Sequence, residues 1–298
     1  MEANSFIETD TFFQQYTSQD TIVKYSRATA GYGINYLLDH DYKSLYLEAL
    51  QSLPAAVRQK GIRILEFGCG AGMNLLHLVS VLSREEINVA SAIGTDFSPV
   101  LIEAAVQEAK NYLGAEDRRK VQFCVARNET LIDTLSSALG KDRAELESSF
   151  HLMLGVNTIR YCHRTGKQVD CVQDIFDLLV PGGICIVIDM NNRFPAFRSA
   201  LKNRLRGRKK KEAECHLPTL EEYTDPFAKT GFEVIRRDHF CWIPHSAGRL
   251  ISGLLQCLSP VLNTVAKSRA MRSLVVSRKP ANCKHSGSSG LLRVKKIS

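Results

Sequence analysis

The chain has 298 residues, 44% of them hydrophobic and 23% charged. That supplies a core for one large domain or two small ones and excludes a disordered or low-complexity chain. The net charge of +8 is local, because Arg198 to Lys211 holds eight Lys or Arg and no acid, and residues 281–298 hold four and no acid. The rest is mildly acidic, which argues against a generally nucleic-acid-binding body.

Nine cysteines are scattered singly with no C-x-x-C pair, so reduced thiols and no zinc site are expected. The start, Met1 to Ser5, is neither basic nor apolar, so no signal peptide is read. Together these predict a cytoplasmic protein. Residues 11 to about 52 read as helices ahead of the sheet, within an N-terminal helical cap over residues 1–55. Tyr25, Tyr32, Tyr36, Tyr42 and Tyr46 recur there beside Arg27. The plain reading is aromatic packing on the sheet, and the functional one is a lid over a ligand pocket.

Ile62 to Phe67 is an apolar, β-branched run interrupted by Arg63 and Glu66, which predicts a buried parallel strand. Gly68, Gly70 and Gly72 follow at once, where glycine permits positive φ and close approach of a ligand. Leu75, Leu76, Val79 and Leu82 then carry a helical spacing over Met73 to Ser83. Strand, glycine turn and helix form the unit that binds adenosine-type cofactors in open α/β sheets. A dinucleotide fingerprint needs G-x-G-x-x-G. Here the third glycine comes one residue early, and Glu66 would repel a pyrophosphate. The pattern E-x-G-x-G-x-G resembles the first motif of class I S-adenosylmethionine-dependent methyltransferases. Their cofactor has an ammonium and no phosphate.

Later landmarks extend the resemblance over residues 60 to 278. Asn88 to Thr95 reads as a second strand ending at Asp96, with Ser98 capping a helix that starts at Pro99. The resemblance implies that Asp96 takes the ribose hydroxyls, Phe97 lies on the adenine face, Glu66 holds the amino-acid end and Arg27 lies near the carboxylate. Val121 to Ala126 is a third strand. The family's usual acidic residue after it is replaced by Arg127, so Asn128 is the remaining partner for the adenine amino group. Leu131 to Glu147 reads as a surface-exposed helix. Phe150 to Thr158 is a fourth strand, and Asp170 to Leu179 a helix. Pro181-Gly-Gly183 reads as a turn before a fifth strand, Ile184 to Ile188. Thr219 to Lys229 reads as a capped helix, and Gly231-Phe232 leads into a strand ending near Phe240. Ser273 to Ser277 is the last strand. The implied fold is α/β, a Rossmann-like doubly wound seven-stranded sheet with an antiparallel last hairpin.

Methyl transfer from a sulfonium is an in-line displacement in which the protein supplies position and electrostatics. A base is needed only for an acceptor that must lose a proton. The loops at the carboxyl ends of the strands offer Asn157, Arg160, Tyr161, His163, Asp189, Asn191, Asn192 and His245. His163 is the preferred base with Tyr161 beside it, and Asn157 is assigned to the cofactor. Asn157-Thr-Ile-Arg160 lacks the Asn/Asp-Pro-Pro-aromatic motif of enzymes that methylate nucleic-acid or glutamine amino groups. Asp189-Met-Asn191 only half resembles the metal-binding pattern of catechol-type enzymes, so no metal is expected. Leu250 to Ala266 has no charge over 17 residues, too short for a span. It reads as a helical insertion, within about 241–270, forming part of the acceptor pocket. Contact with a membrane surface is its second reading. The tail, with Ser286 to Gly290, reads as disordered. The expected function is methyl transfer to a small, partly apolar acceptor held between the N-terminal helices and Trp242 to Ala266. The rival readings are a nucleic-acid-modifying or nucleic-acid-binding protein working through 198–211, and a cofactor-binding module without catalysis.

Overall fold

The computed structural model describes residues 35–195, 217–244 and 247–282. Arg27, Tyr25 and Tyr32, the basic segment 198–211, His245 and the tail from residue 283 lie outside the described residues.

Strand β1 (Ile62–Phe67) is buried at every position but Arg63. A strand covered on both faces has no reason to alternate, which is why it reads as a nearly continuous apolar run. Burying Ile62, Ile64, Leu65 and Phe67 is each worth about 1.5–3 kcal/mol. Its neighbours are β2 (Val89–Asp96) and β4 (Phe150–Val156), and β3 (Val121–Val125), β5 (Leu179–Met190), β6 (Glu233–Phe240) and β7 (Arg272–Arg278) complete one sheet of order β3-β2-β1-β4-β5-β7-β6. Strands β1 to β5 pair in parallel, and β7 runs antiparallel between β5 and β6. The chain order reverses between β1 and β4, so a crevice opens there at the carboxyl ends of the strands.

Alternate side chains point to opposite faces, and the core divides accordingly. On one face Ile62, Ile64, Leu152 and Ile186 meet α1 (Lys43–Gln51), the π-helical turn Leu37–Tyr42 before it, and α3 (Met73–Arg84), with the short α2 (Ala55–Lys60) between them in the chain. The helical spacing read from Leu75, Leu76, Val79 and Leu82 is what α3 buries. On the other face Leu65, Phe67, Met153 and Val187 meet α6 (Leu131–Leu139), α9 (Gln168–Leu178) and α10 (Leu220–Lys229). The start of α10 is a capping box. Glu222 N–H donates to Thr219 Oγ1 at 3.1 Å, and Thr219 N–H donates to Glu222 Oε2 at 2.6 Å. Ser98 caps α4 (Pro99–Tyr112) as its sequence predicts. The remaining helices are α5 (Ala115–Arg119), α7 (Arg143–Leu146), α8 (Ile159–Arg164) and α11 (Arg249–Val265). None of the helices among the described residues is long and apolar enough to cross a membrane.

Three expectations are corrected. Residues 131–147 are two helices, α6 and α7, and they bury Leu131, Ile132, Leu135 and Leu146. A left-handed C-cap at Gly140 ends the first helix, and the apolar stripe belongs to the core. Pro181-Gly-Gly183 does not precede β5 but lies within it. Phe150 pairs with Leu179 and Leu152 already with Ile184, so the turn bulges from the ladder between them. The segment 250–266 is helical, yet Leu250 and Leu254, expected to face an acceptor, are 90% and 62% exposed.

The contact between β1 and β4 depends on Gly155. A Cβ added there would stand 2.3 Å from the Phe67 ring, while one added to Gly253 in α11 meets nothing within 4 Å. Both residues of the first pair are in the sheet centre, where the ring has nowhere to go. Gly155→Ala is expected to lower stability by about 1–3 kcal/mol through overpacking, and Gly253→Ala to be neutral or stabilising. Urea unfolding of both variants checks this, and an unshifted midpoint for Gly155→Ala contradicts it.

Candidate functional site

The turn from β1 into α3 sits at the crevice, and its three glycines are needed for different reasons. All three have positive φ, +67° at Gly68, +54° at Gly70 and +81° at Gly72. At Gly68 a Cβ would also stand 2.0 Å from Thr158 Oγ1, and at Gly72 2.9 Å from the Phe123 ring. At Gly70 an added Cβ meets nothing within 4 Å. The protein itself therefore leaves space over Gly70, and its own constraint there is the left-handed backbone.

Two carboxylates fix the turn. Asp96, 5% exposed at the end of β2, accepts from Gly70 N–H through Oδ2 and from Ser98 N–H through Oδ1, both at 2.9 Å. Burial raises its pKa above the usual aspartate value, and those N–H groups work against the rise. Glu66 is fully buried. Its Oε2 accepts from Leu75 N–H at 2.9 Å and its Oε1 from Asn74 Nδ2 at 3.2 Å. It thus satisfies an otherwise orphan donor at the start of α3. Burial pushes its pKa up to about 8 against the pull of Asn74 and Leu75.

Asn128 follows β3 and donates through Nδ2 to Thr158 Oγ1 at 2.7 Å. Its Oδ1 is buried and has no hydrogen-bond partner, an arrangement that invites an N–H donor from a ligand. Phe97, next to Asp96, is half-buried. Arg127 is exposed, and its own N–H donates to Thr134 Oγ1.

The ends of β4, β5 and β7 form the other wall. Asn157 has φ +57°. Its N–H donates to Ile188 O at 2.7 Å and its Oδ1 accepts from Arg272 Nη1 at 2.5 Å. Asn157 therefore holds Arg272. Arg160 Nη1 meets Asp189 Oδ1 at 2.8 Å in a pair whose side chains are 11% and 1% exposed. Burial opposes the charge on Arg160, but the neighbouring Asp189 prevails and raises its pKa. The same guanidinium donates to the Tyr161 hydroxyl at 2.8 Å. His163 is set differently, its ring edge-on to Tyr223 at 5.6 Å. Asn191 ties the crevice to the turn before β7, donating to Ala270 O at 2.7 Å and Ser268 O at 3.0 Å.

Tyr42 and Tyr46 cover this edge at 1% and 0% exposure, with their hydroxyls buried and unpartnered. Burial raises the Tyr42 pKa to about 12, with Arg272 opposing, and raises that of Tyr46, with Glu66 adding to the effect. Thr158 and Arg272 had no local signal in the sequence, because each acquires its role from a strand distant in the chain. Among the described residues no group of three His, Cys, Asp or Glu could hold a metal ion. An open position over Gly70, a carboxylate beside it and an orphan acceptor at Asn128 fit an adenosine-type cofactor.

A family model described as a methyltransferase domain matches residues 38–237. No curated protein matches the chain. Among solved structures, the CurJ carbon methyltransferase is similar with a TM-score of 0.50 and 16% identity, covering 91% of this chain and 58% of that one. A complex of the Haloferax volcanii Trm112 methyltransferase activator with a methyltransferase is similar with a TM-score of 0.50 and 14% identity, covering 93% and 98%. An S-adenosylmethionine-dependent methyltransferase from Mesorhizobium loti gives a TM-score of 0.48 and 16% identity, covering 78% and 96%. At such identities the structural likeness is one of fold, whereas the family match spans the glycine turn and the crevice. The chain belongs to the methyltransferase-domain family and is a class I S-adenosylmethionine-dependent methyltransferase.

Proposed function

We propose that this protein methylates a small, partly apolar molecule. When bound, the cofactor supplies an electrophilic methyl group on a sulfonium sulfur. The chain's own work is positioning. Asp96 takes the ribose hydroxyls with the lone pairs that Gly70 and Ser98 leave open. Phe97 flanks the adenine, and Asn128 Oδ1 accepts from its amino group. Glu66 attracts the ammonium at the amino-acid end, and Arg27 pairs with the carboxylate. Gly68, Gly70 and Gly72 let the backbone approach. Asn157 acts through Arg272, which it holds at the acceptor side.

The observation that carries the small-acceptor reading is the cover over this edge. Tyr42 and Tyr46 bury their hydroxyls beside Arg272 and Glu66. Such an edge suits a molecule that enters a pocket better than a polymer lying across a groove. For an acceptor that must lose a proton, α8 supplies Tyr161 and His163. Incubation with methyl-labelled cofactor and a fractionated cell extract tests the reading. Label is expected in the small-molecule fraction, and label only in protein or nucleic acid contradicts it.

Asn128→Ala removes the orphan acceptor. Wild type is expected to bind S-adenosylhomocysteine about tenfold tighter than its inosine analogue, which lacks the amino group, and the variant to bind both alike. Competition binding measures the ratio, and an unchanged ratio in the variant removes Asn128 from adenine recognition.

Glu66 gives a pH signature. Its pKa is 4.5 unfolded and about 8 folded, so the ligand-free folded chain binds the extra proton between those values. Stability therefore falls as pH rises through that window, and the loss is complete above it. In Glu66→Gln, which keeps the shape without the charge, the fall is expected to be shallower, while cofactor affinity drops. Thermal melts across pH check the first, and calorimetry the second. Parallel pH profiles for the two proteins contradict the account.

A further inference from the structure

Helix α11 carries an apolar stripe on its outward side. A helix on a globular surface normally lays its apolar stripe on the core. In α11 the one buried residue is Ser252, and Gln256 and Ser259 on the same face are half-buried. Leu255 and Leu262 are half-buried on that inner face too, but six apolar residues face outward. Leu250, Leu254, Leu258, Val261 and Val265 are 90%, 62%, 43%, 60% and 73% exposed, with Ile251 beside them at 57%. Their spacing of four, four, three and four residues places them in one stripe, about 22 Å long at 1.5 Å per residue.

The charge around the stripe is mostly basic, the acid beside it being Asp238, which pairs with Lys267 at 2.7 Å. Asp238 is the last acid of the chain, and the 60 residues after it contain ten Lys or Arg. Arg249 at one end of α11 and Arg269 at the other are exposed, while Lys267 is held by Asp238. The single tryptophan, Trp242, donates from its indole N–H to Asn263 Oδ1 at 2.8 Å and so lies along the helix. Indole with one wet and one apolar side is favoured at a membrane–water boundary.

We propose that α11 lies in the plane of an anionic lipid surface, its leucine and valine stripe among the acyl chains and its flanking arginines among the headgroups. An outward apolar face with an arginine at each end and no acid within the helix is what interfacial helices present. Charge complementarity selects this occupant over a second copy of the chain. A copy docked on the same face would bring its own Arg249 and Arg269 against the first pair. The inference does not rest on the acceptor reading. It does place the carboxyl edge of the sheet near the lipid, because the chain passes from α11 to Arg272 through one short turn.

Vesicle flotation of the full chain tests it. Wild type is expected to float with mixed phosphatidylcholine–phosphatidylserine vesicles, more weakly with phosphatidylcholine alone, and its Trp242 emission to shift to the blue. Leu254→Ser with Leu258→Ser is expected to lose at least tenfold in vesicle affinity with cofactor affinity unchanged. Arg249→Gln with Arg269→Gln is expected to lose the preference for phosphatidylserine. Three results overturn the proposal. One is a wild type that does not float. Another is a leucine variant that floats as well as wild type, which gives the binding to other basic segments. The last is a dimer that the leucine variant disperses while neither protein binds vesicles.

Discussion

The carboxylate of Asp96, 2.9 Å from the N–H of Gly70, joins the end of β2 to the turn that leaves β1. That turn is held from the other side by Gly68, which passes beneath Thr158 with no room for a methyl group. Thr158 in turn receives Asn128 from the end of β3. Four strand ends are thus tied through one glycine turn, and each tie leaves a polar group or an open face toward the crevice. A side chain at Gly68 would break the arrangement twice, through its left-handed backbone and through Thr158. The burial of Glu66 beneath the start of α3 belongs to the same device, since it satisfies Leu75 N–H from within the sheet.

The opposite wall is electrostatic. Arg160 and Asp189 form a buried ion pair, which contributes little net stability, while removing one partner alone is strongly destabilising. Arg272 is 4% exposed and held by Asn157, a residue in a left-handed conformation. Strained backbone and buried cations together at a crevice are characteristic of functional sites. The outward-facing α11 ends one short turn before Arg272, so whatever α11 binds is coupled in space to this wall.

Much of this was readable from the sequence. The strand and helix after each landmark followed from local periodicity and capping, as with Ser98-Pro99 and with Thr219 and Glu222. Asp96 and the glycines were readable because they lie together on two strand ends in a known pattern. What could not be read depends on contacts between distant residues. Nothing near Thr158 announces that it stands over Gly68, and nothing near Arg272 points to Asn157. Residues 131–147 read as an exposed helix, while the fold buries Leu131, Ile132, Leu135 and Leu146 against elements distant in the chain. For α11 the periodicity was visible but not its direction. An apolar stripe reads as core unless the fold shows which side is already occupied.

The central claim is that the glycine turn tied to Asp96 holds S-adenosylmethionine. Calorimetry of the wild type and of Asp96→Ala, each titrated with S-adenosylhomocysteine and with NADH, tests it most directly. The account predicts that the wild type binds S-adenosylhomocysteine and not NADH, and that Asp96→Ala weakens binding by about 1–3 kcal/mol through the lost charged hydrogen bonds. Tighter binding of NADH, or an affinity unchanged in Asp96→Ala, would contradict it.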